Sequence, residues 1–227
     1  MKKELMVQCL NNLEYGFSPE NTALVVVDMQ RDFLDPKGMS ASMGEDSKNV
    51  QPVISNVKSV LAAAREAGLK IIHTREGYSP DLSDVNDLKS TVGDHGPLGR
   101  FLICGEEGQD FIHGFEPEND EVVIDKPGFS CFYKTDLEER LRKDGITHLV
   151  IVGVTTQCCI LSTIYSAVDR GFFCLMIQDS CGAFDPAVHQ SALTVMQAEG
   201  NLFGSITDTE KFLSSTLTTH KSVASCY

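Results

Sequence analysis

The chain reads as an α/β protein, a three-layer α-β-α arrangement of Rossmann type around a mostly parallel sheet of about six strands. Three observations predict it. Apolar runs rich in β-branched residues recur along the 227 residues, with amphipathic segments at helical spacing between them. Those runs are apolar throughout rather than alternating, the pattern of strands covered on both faces. Several helical segments end at a glycine, as helix stops do.

The elements follow in order. TALVVVDM (22–29) is the first strand. Residues 51–67 carry Val53, Ile54, Val57, Val60, Leu61 and Ala64 at helical spacing, with Gly68 as the stop. LKIIHTR (69–75) and EVVIDK (121–126) are the next two strands. Residues 135–144 form a helix with Leu137 and Leu141 inward, closed by Gly145. THLVIVG (147–153) is the fourth strand, followed by a tight turn and a helix that ends at Gly171. FFCLMIQD (172–179) is the fifth strand, 186–198 a helix, and NLFGSIT (201–207) a short sixth strand. A last helix covers 208–216, and the tail beyond it is expected to be loose. The segment 77–117 breaks the alternation. It is long for a connection and rich in Asp, Gly and Pro, as lids and subunit contacts are. No repeat or linker divides the chain, so 1–227 is expected to be one domain with its core at about 20–216.

Composition narrows the function classes. The hydrophobic content of 42% is enough for a full core without disulfide support. The formal net charge of −13 argues against nucleic acid or an anionic membrane as partner, since both need a basic face. The eight cysteines show no CxxC spacing and sit in a chain too large for a disulfide scaffold. The N-terminus lacks the apolar stretch of a signal peptide, and no apolar run reaches membrane length. The expectation is a cytoplasmic protein with free thiols.

The chemistry centres on LVIVGVTTQCCILSTIYSA (149–167). A strand stops at Gly153, and Cys158 and Cys159 follow at the start of a helix whose Ile160, Ile164 and Ala167 share one face. Free backbone N–H groups and the helix dipole there favour a thiolate and can hold an oxyanion. Two more polar residues stand at carboxyl ends of strands, Asp28 and Lys126. In a parallel sheet such positions meet along one edge, where ligands bind. A carboxylate can take a thiol proton and hand it to a leaving amine, and an ammonium lowers the thiol pKa and aligns the carboxylate. Each residue alone also has a bland reading: Asp28 as a turn former, Lys126 as a solvated strand end, the two cysteines as small core side chains.

Three motifs carry a resemblance: ALVVVDMQRDFL (23–34), DKPGFSCFYKTDLEERLRKDGITHLVIVG (125–153) and GVTTQCCILSTIYSAVDRGF (153–172). Together they resemble the isochorismatase-like cysteine hydrolases over residues 20–207, most of the chain. The matching positions are Asp28, Gln30, Asp32 and Phe33; Lys126, Ser130 and Phe132; and Gly153 with Cys159 six residues on. The resemblance implies a catalytic triad of Asp28, Lys126 and Cys159, with Cys158 a packed neighbour. It implies a cis peptide between Val154 and Thr155 that turns the backbone N–H groups of Thr155 and Cys159 toward an oxyanion.

Within that family the chain is similar to the ureido and amide branch of biuret hydrolases, ureidoacrylate amidohydrolases and N-carbamoyl amidases. The features are HTREGYSPDLSD (73–84), GPLGRFLICGEEG (96–108) and DKPGFSCFYKTDL (125–137). It departs from the branch at Tyr78, where His is usual, near Cys104, where Arg is usual, and at Gln157, where Asp or Asn is frequent. Nicotinamidase-like members carry a metal site with two His close after the second strand. Here His73 lies inside the strand, and no other His follows until His95. The resemblance therefore implies no metal and no cofactor, with His73 a strand residue near the site. True isochorismatases cleave a vinyl ether without the cysteine, so Cys159 argues against that reaction.

The implied reaction is hydrolysis of a ureido or linear amide C–N bond through a thioester or S-carbamoyl enzyme. Gln30, Phe33, Arg75, Phe132 and Gln157 are candidate pocket residues. Arg75 is placed to clamp a carboxylate or carbonyl, or else to form a surface ion pair. The family implies a homodimer or homotetramer. Three alternatives stand beside this reading: a nicotinamidase-type amidase, a non-catalytic or thiol-redox protein keeping the fold, and a flavodoxin-like nucleotide binder. MQRDFLDPKG, with no Gly-rich turn after the first strand, speaks against the last.

Overall fold

A computed structural model of the chain describes residues 4–10, 12–85 and 101–221. The N-terminal segment, to which its sequence assigns no element, forms an antiparallel pair, β1 (Leu5–Gln8) and β2 (Glu14–Phe17). Leu5, Val7 and Phe17 alternate inward from it and are buried.

The main body begins with β3 (Thr22–Val27), followed by two single-turn helices, α1 (Arg31–Leu34) and α2 (Met39–Ser42). Next comes α3 (Gln51–Ala67), 17 residues that bury Val53, Val57, Val60, Leu61 and Ala64 on one stripe. Pro52 sits in its first turn, and Gly68 ends it in a left-handed conformation at φ 76°. After β4 (Lys70–Glu76) and β5 (Val122–Lys126) come α4 (Leu137–Lys143) and β6 (His148–Val154). A π-helical turn (Thr156–Ile160) leads into α5 (Leu161–Asp169). The chain closes with β7 (Phe173–Gly182), α6 (Pro186–Met196), β8 (Ser205–Thr207) and α7 (Thr209–Lys221).

Six strands form one parallel sheet in the order β5-β4-β3-β6-β7-β8. The chain winds outward from β3 to β5 on one side and from β6 to β8 on the other. The order reverses between β3 and β6, and the crevice at such a switch point is where open α/β sheets hold ligands. Two apolar layers cover the sheet. Leu24, Val26 and Ile71 face one cluster with α3 and Phe212 of α7. Val25, Val27 and Ile72 face the other, with Leu137, Leu141, Ile164 and Leu193 from α4, α5 and α6. These are the three expected layers.

Several boundaries differ from the sequence reading. β3 stops at Val27 because Asp28 turns to φ 51°. Residues 201–204 form turns rather than strand, with Asn201 left-handed at φ 66°. The last helix continues to Lys221, so the chain just past 216 is helical rather than loose. The described return leg of the 77–117 segment is docked, with Leu102, Ile103 and Phe115 buried. Tyr78 N–H donates to Leu102 O (2.9 Å), Cys104 N–H to Tyr78 O (2.8 Å) and Leu102 N–H to Asp32 Oδ2 (2.7 Å). The lid or subunit-contact expectation thus bears on residues 86–100, which lie outside the described residues.

Among the described residues no helix is long and apolar enough to cross a membrane. Seven cysteines are free, and Cys226 lies outside the described residues.

Candidate active site

Strand register assembles the site. Val27 of β3 pairs with Thr74 of β4 on one side and Gly153 of β6 on the other. Glu76, at the end of β4, pairs with Lys126 at the end of β5. The strand ends of β3, β4, β5 and β6 therefore lie side by side. Gly153 lets β6 approach: at φ 121°, an added Cβ there would stand 2.1 Å from Val27 O. The following Val154–Thr155 peptide is cis. Thr155 O then accepts from the N–H groups of Cys158 and Ile160, both at 3.2 Å, the second an i to i+5 bond. Such π turns recur at functional sites. This one buries Cys159 and leaves Gln157 exposed.

Asp28, Lys126 and Cys159 converge as the sequence reading expects. Lys126 Nζ lies 2.7 Å from Asp28 Oδ2 and 3.6 Å from Cys159 Sγ, and donates to Gly128 O at 2.9 Å. Thr74 Oγ1 donates to Asp28 Oδ1 at 2.7 Å. All three residues are at most 2% exposed.

A second carboxylate, absent from the sequence reading, shares the site. Glu76 Oε2 is 3.4 Å from Lys126 Nζ and accepts from the Cys159 thiol at 3.4 Å. Tyr78 Oη donates to Glu76 Oε1. The available signal was strand alternation. Thr74 and Glu76 share a face of β4 with Ile72, and that face carries the site.

The same alternation decides where two further residues of β4 point. Arg75 points to the other face, where its guanidinium pairs with Asp125 (2.8 Å) and lies over Phe111. Of the two contacts expected for Arg75, the structure shows the ion pair. His73 also points away from the site, with Nε2 2.9 Å from Glu121 Oε2. Burial pushes the His73 pKa down, opposed by Glu121.

Gln30 is likewise committed elsewhere. Its Nε2 donates to Glu76 O (2.8 Å) and Gln109 O (2.9 Å), and its Oε1 accepts from Glu76 N–H (2.8 Å). A fully buried amide with those three bonds is a clamp on Glu76, not a pocket donor. Phe33 is buried edge-to-face on Phe101, with centroids 5.3 Å apart. Phe132 shares the apolar cluster of Cys159, its ring against Phe172 at 5.9 Å. Within the D-x-Q-x-D run, then, Asp28 reaches the site while Gln30 and Asp32 anchor the backbone around it.

Electrostatics change one further expectation. Hydrogen bonding to Cys158 and burial push the Cys159 pKa well up, against the pull of Lys126. That direction runs against the thiolate that its place before α5 suggested, and the sulfur donates to Glu76. Burial pushes the Asp28 carboxyl up, opposed by Lys126 and Thr74. Burial alone would lower the Lys126 pKa, but Asp28, Cys159 and Glu76 turn the shift well upward. Lys126 is therefore an ammonium.

Among the described residues Asp28, Glu76 and Cys159 bring ligand atoms within 4.8 Å of one another. Lys126 Nζ contacts all three, so the cation of this cluster is the ammonium.

A parallel sheet with this crevice defines the class. The isochorismatase domain model matches residues 22–211, and the chain belongs to that family. It is 31% identical over 208 residues to the ureidoacrylate amidohydrolase RutB of Serratia proteamaculans, covering 87% of this chain and 83% of that protein. Among solved structures, a cysteine hydrolase from Pseudomonas syringae pv. phaseolicola superposes with a TM-score of 0.78 at 25% identity, covering 96% of this chain and 99% of that one. The N-carbamoylsarcosine amidase of Thermoplasma acidophilum shares the fold, with a TM-score of 0.67 at 24% identity over 84% of this chain and 97% of that one.

Proposed function

We propose that the protein is a cysteine-dependent amidohydrolase acting on a ureido or linear amide C–N bond, of the biuret or ureidoacrylate kind. The observation that carries the reading is the buried cluster in which one ammonium, Lys126 Nζ, contacts both the Asp28 carboxylate and the Cys159 sulfur. The similarity to a ureidoacrylate amidohydrolase supports the substrate class.

In the proposed reaction Cys159 Sγ attacks the substrate carbonyl. The backbone N–H groups of Thr155 and Cys159 hold the oxyanion, where losing one donor costs roughly 3 kcal/mol of transition-state stabilisation. Asp28 delivers a proton to the departing nitrogen, and Lys126 keeps Asp28 anionic between turnovers. Water then releases the thioester or S-carbamoyl enzyme. Lys126 meets the cluster's need for positive charge, so turnover is expected without a metal. A homodimer or homotetramer and a cytoplasmic location belong to the same proposal.

The test is an ammonia-release assay on biuret, ureidoacrylate, N-carbamoyl amino acids, nicotinamide and simple amides, with wild type and Cys159→Ser. At least one ureido or linear amide compound is expected to turn over, with the variant inactive and chelator without effect. Turnover of nicotinamide alone would favour the nicotinamidase-type reading. Inhibition by chelator, reversed by added metal, would overturn the metal-free site.

A further inference from the structure

The thiol of Cys159 donates to Glu76 Oε2 (3.4 Å), while Asp28 Oδ1 accepts from Thr74 (2.7 Å) and Asp28 Oδ2 is ion-paired to Lys126 Nζ at 2.7 Å without a hydrogen bond. The carboxylate engaged with the sulfur at rest is therefore not Asp28. Glu76 is also held with unusual care. Its backbone N–H and C=O are both clamped by Gln30, and its Oε1 accepts from Tyr78 Oη. Its side chain is buried at the end of a central strand, where a carboxylate is costly unless paired and used. The groups facing it include Tyr78 after β4, Lys126 from β5, Cys159 from the π turn and Asp28, whose carboxylate lies within 4.8 Å.

We propose that Glu76 is a further catalytic residue, the carboxylate that receives the Cys159 thiol proton, and that Tyr78 is its positioning residue. The inference rests on the hydrolase reading above. As the Sγ–C bond forms, the S–H bond breaks and its proton passes to Glu76 Oε2. Lys126, in contact with Glu76 Oε2 and Asp28 Oδ2, receives one proton and gives one up, so its charge is unchanged. Asp28 carries that proton to the leaving nitrogen as the C–N bond breaks. In the second half water adds to the carbonyl and loses a proton to Asp28. The relay then runs backward, and the departing sulfur regains its proton from Glu76. The two carboxylates thus serve the two ends of one path, which explains why a site with a single ammonium keeps both.

Two measurements test this. The first needs no substrate: the pH dependence of Cys159 alkylation by iodoacetamide, read by peptide mass spectrometry, in wild type and Glu76→Gln. Gln keeps the shape and accepts the thiol hydrogen bond but carries no charge and takes up no proton. Alkylation near neutral pH should fall at least about tenfold, because the attacking sulfur no longer has a carboxylate to take its proton. The second is kcat and KM on whichever ureido or amide compound the wild type cleaves. Glu76→Gln should lower kcat at least about 100-fold with little change in KM, and Glu76→Asp should restore part of it. Tyr78→Phe removes a donor that favours the charged carboxylate, so the acidic limb of its kcat/KM profile should move to higher pH while the plateau is kept. If Glu76→Gln does not fold, Glu76→Asp and Tyr78→Phe carry the test. A Glu76→Gln enzyme within about threefold of wild-type kcat, or an unshifted alkylation profile, would overturn the role of Glu76. An unmoved limb in Tyr78→Phe would overturn that of Tyr78. If no compound turns over, the hydrolase reading fails, while the alkylation result still reports on Glu76 and the thiol.

Discussion

Lys126 Nζ and Asp28 Oδ2 face each other at 2.7 Å with no solvent exposure on either side chain. A pair this deep is held by mutual need, since neither charge is tolerable without the other. Lys126→Met is expected to destabilise the fold by about 3–5 kcal/mol at neutral pH, with a smaller loss in acid, where the stranded Asp28 is protonated. Adding Asp28→Asn to that variant should recover part of the loss without restoring activity. Urea unfolding of the single and double variants at two pH values checks this. Equal stability of Lys126→Met and wild type would mean that the pair is solvated.

Gln30 separates a clamp from a pocket residue. Its side chain serves Glu76 N–H, Glu76 O and Gln109 O, so Gln30→Leu strands three buried backbone groups. The expected cost is roughly 2–4 kcal/mol of stability, with kcat falling because Glu76 loses its position. Unfolding and steady-state kinetics together decide it. A raised KM at unchanged stability would return Gln30 to the substrate pocket.

Glu121 sets part of the acid limit. Burial would raise its pKa, but the Arg65 guanidinium, the Glu118 N–H and His73 hold it at about 2, below its ordinary 4.5. A depressed carboxyl contributes stability that is complete above its unfolded pKa and is lost as pH falls through the folded one. Glu121→Gln should therefore cost roughly 1–2 kcal/mol at neutral pH, after allowance for partial solvent screening, and nothing once both forms of Glu121 are protonated. Urea midpoints of the two proteins should converge between about pH 5 and pH 2. A constant difference across that range would remove the ion pair as its source.

The sheet and the convergence of Asp28, Lys126 and Cys159 were legible because both are written locally. Each strand is a short β-branched run; Asp28 follows one, Lys126 ends one, and Cys159 comes in the turn after one. Glu76 was not legible because a strand end carrying Arg75 and Glu76 offers two charged residues, and only the face assignment says which enters the site. That assignment depends on the neighbours of β4, with Thr74 against Asp28 on one face and His73 against Glu121 on the other. Gln30 fails for a similar reason, since its partners lie 46 and 79 residues away. The β1–β2 pair is too short to show a clear period, and its buried side chains pack on distant parts of the chain, as Phe17 does on Phe212. The upward push on the Cys159 pKa follows from its hydrogen bond to Cys158 and from burial rather than from its place before a helix, and neither can be read along the chain.

The most direct measurement is the intact mass of the enzyme quenched during turnover of its best ureido or amide substrate, followed by peptide mapping. An acyl or carbamoyl adduct on Cys159, absent from the Cys159→Ala variant and lost on continued incubation in water, is the predicted result. Hydrolysis at an undiminished rate by Cys159→Ala would contradict the account outright.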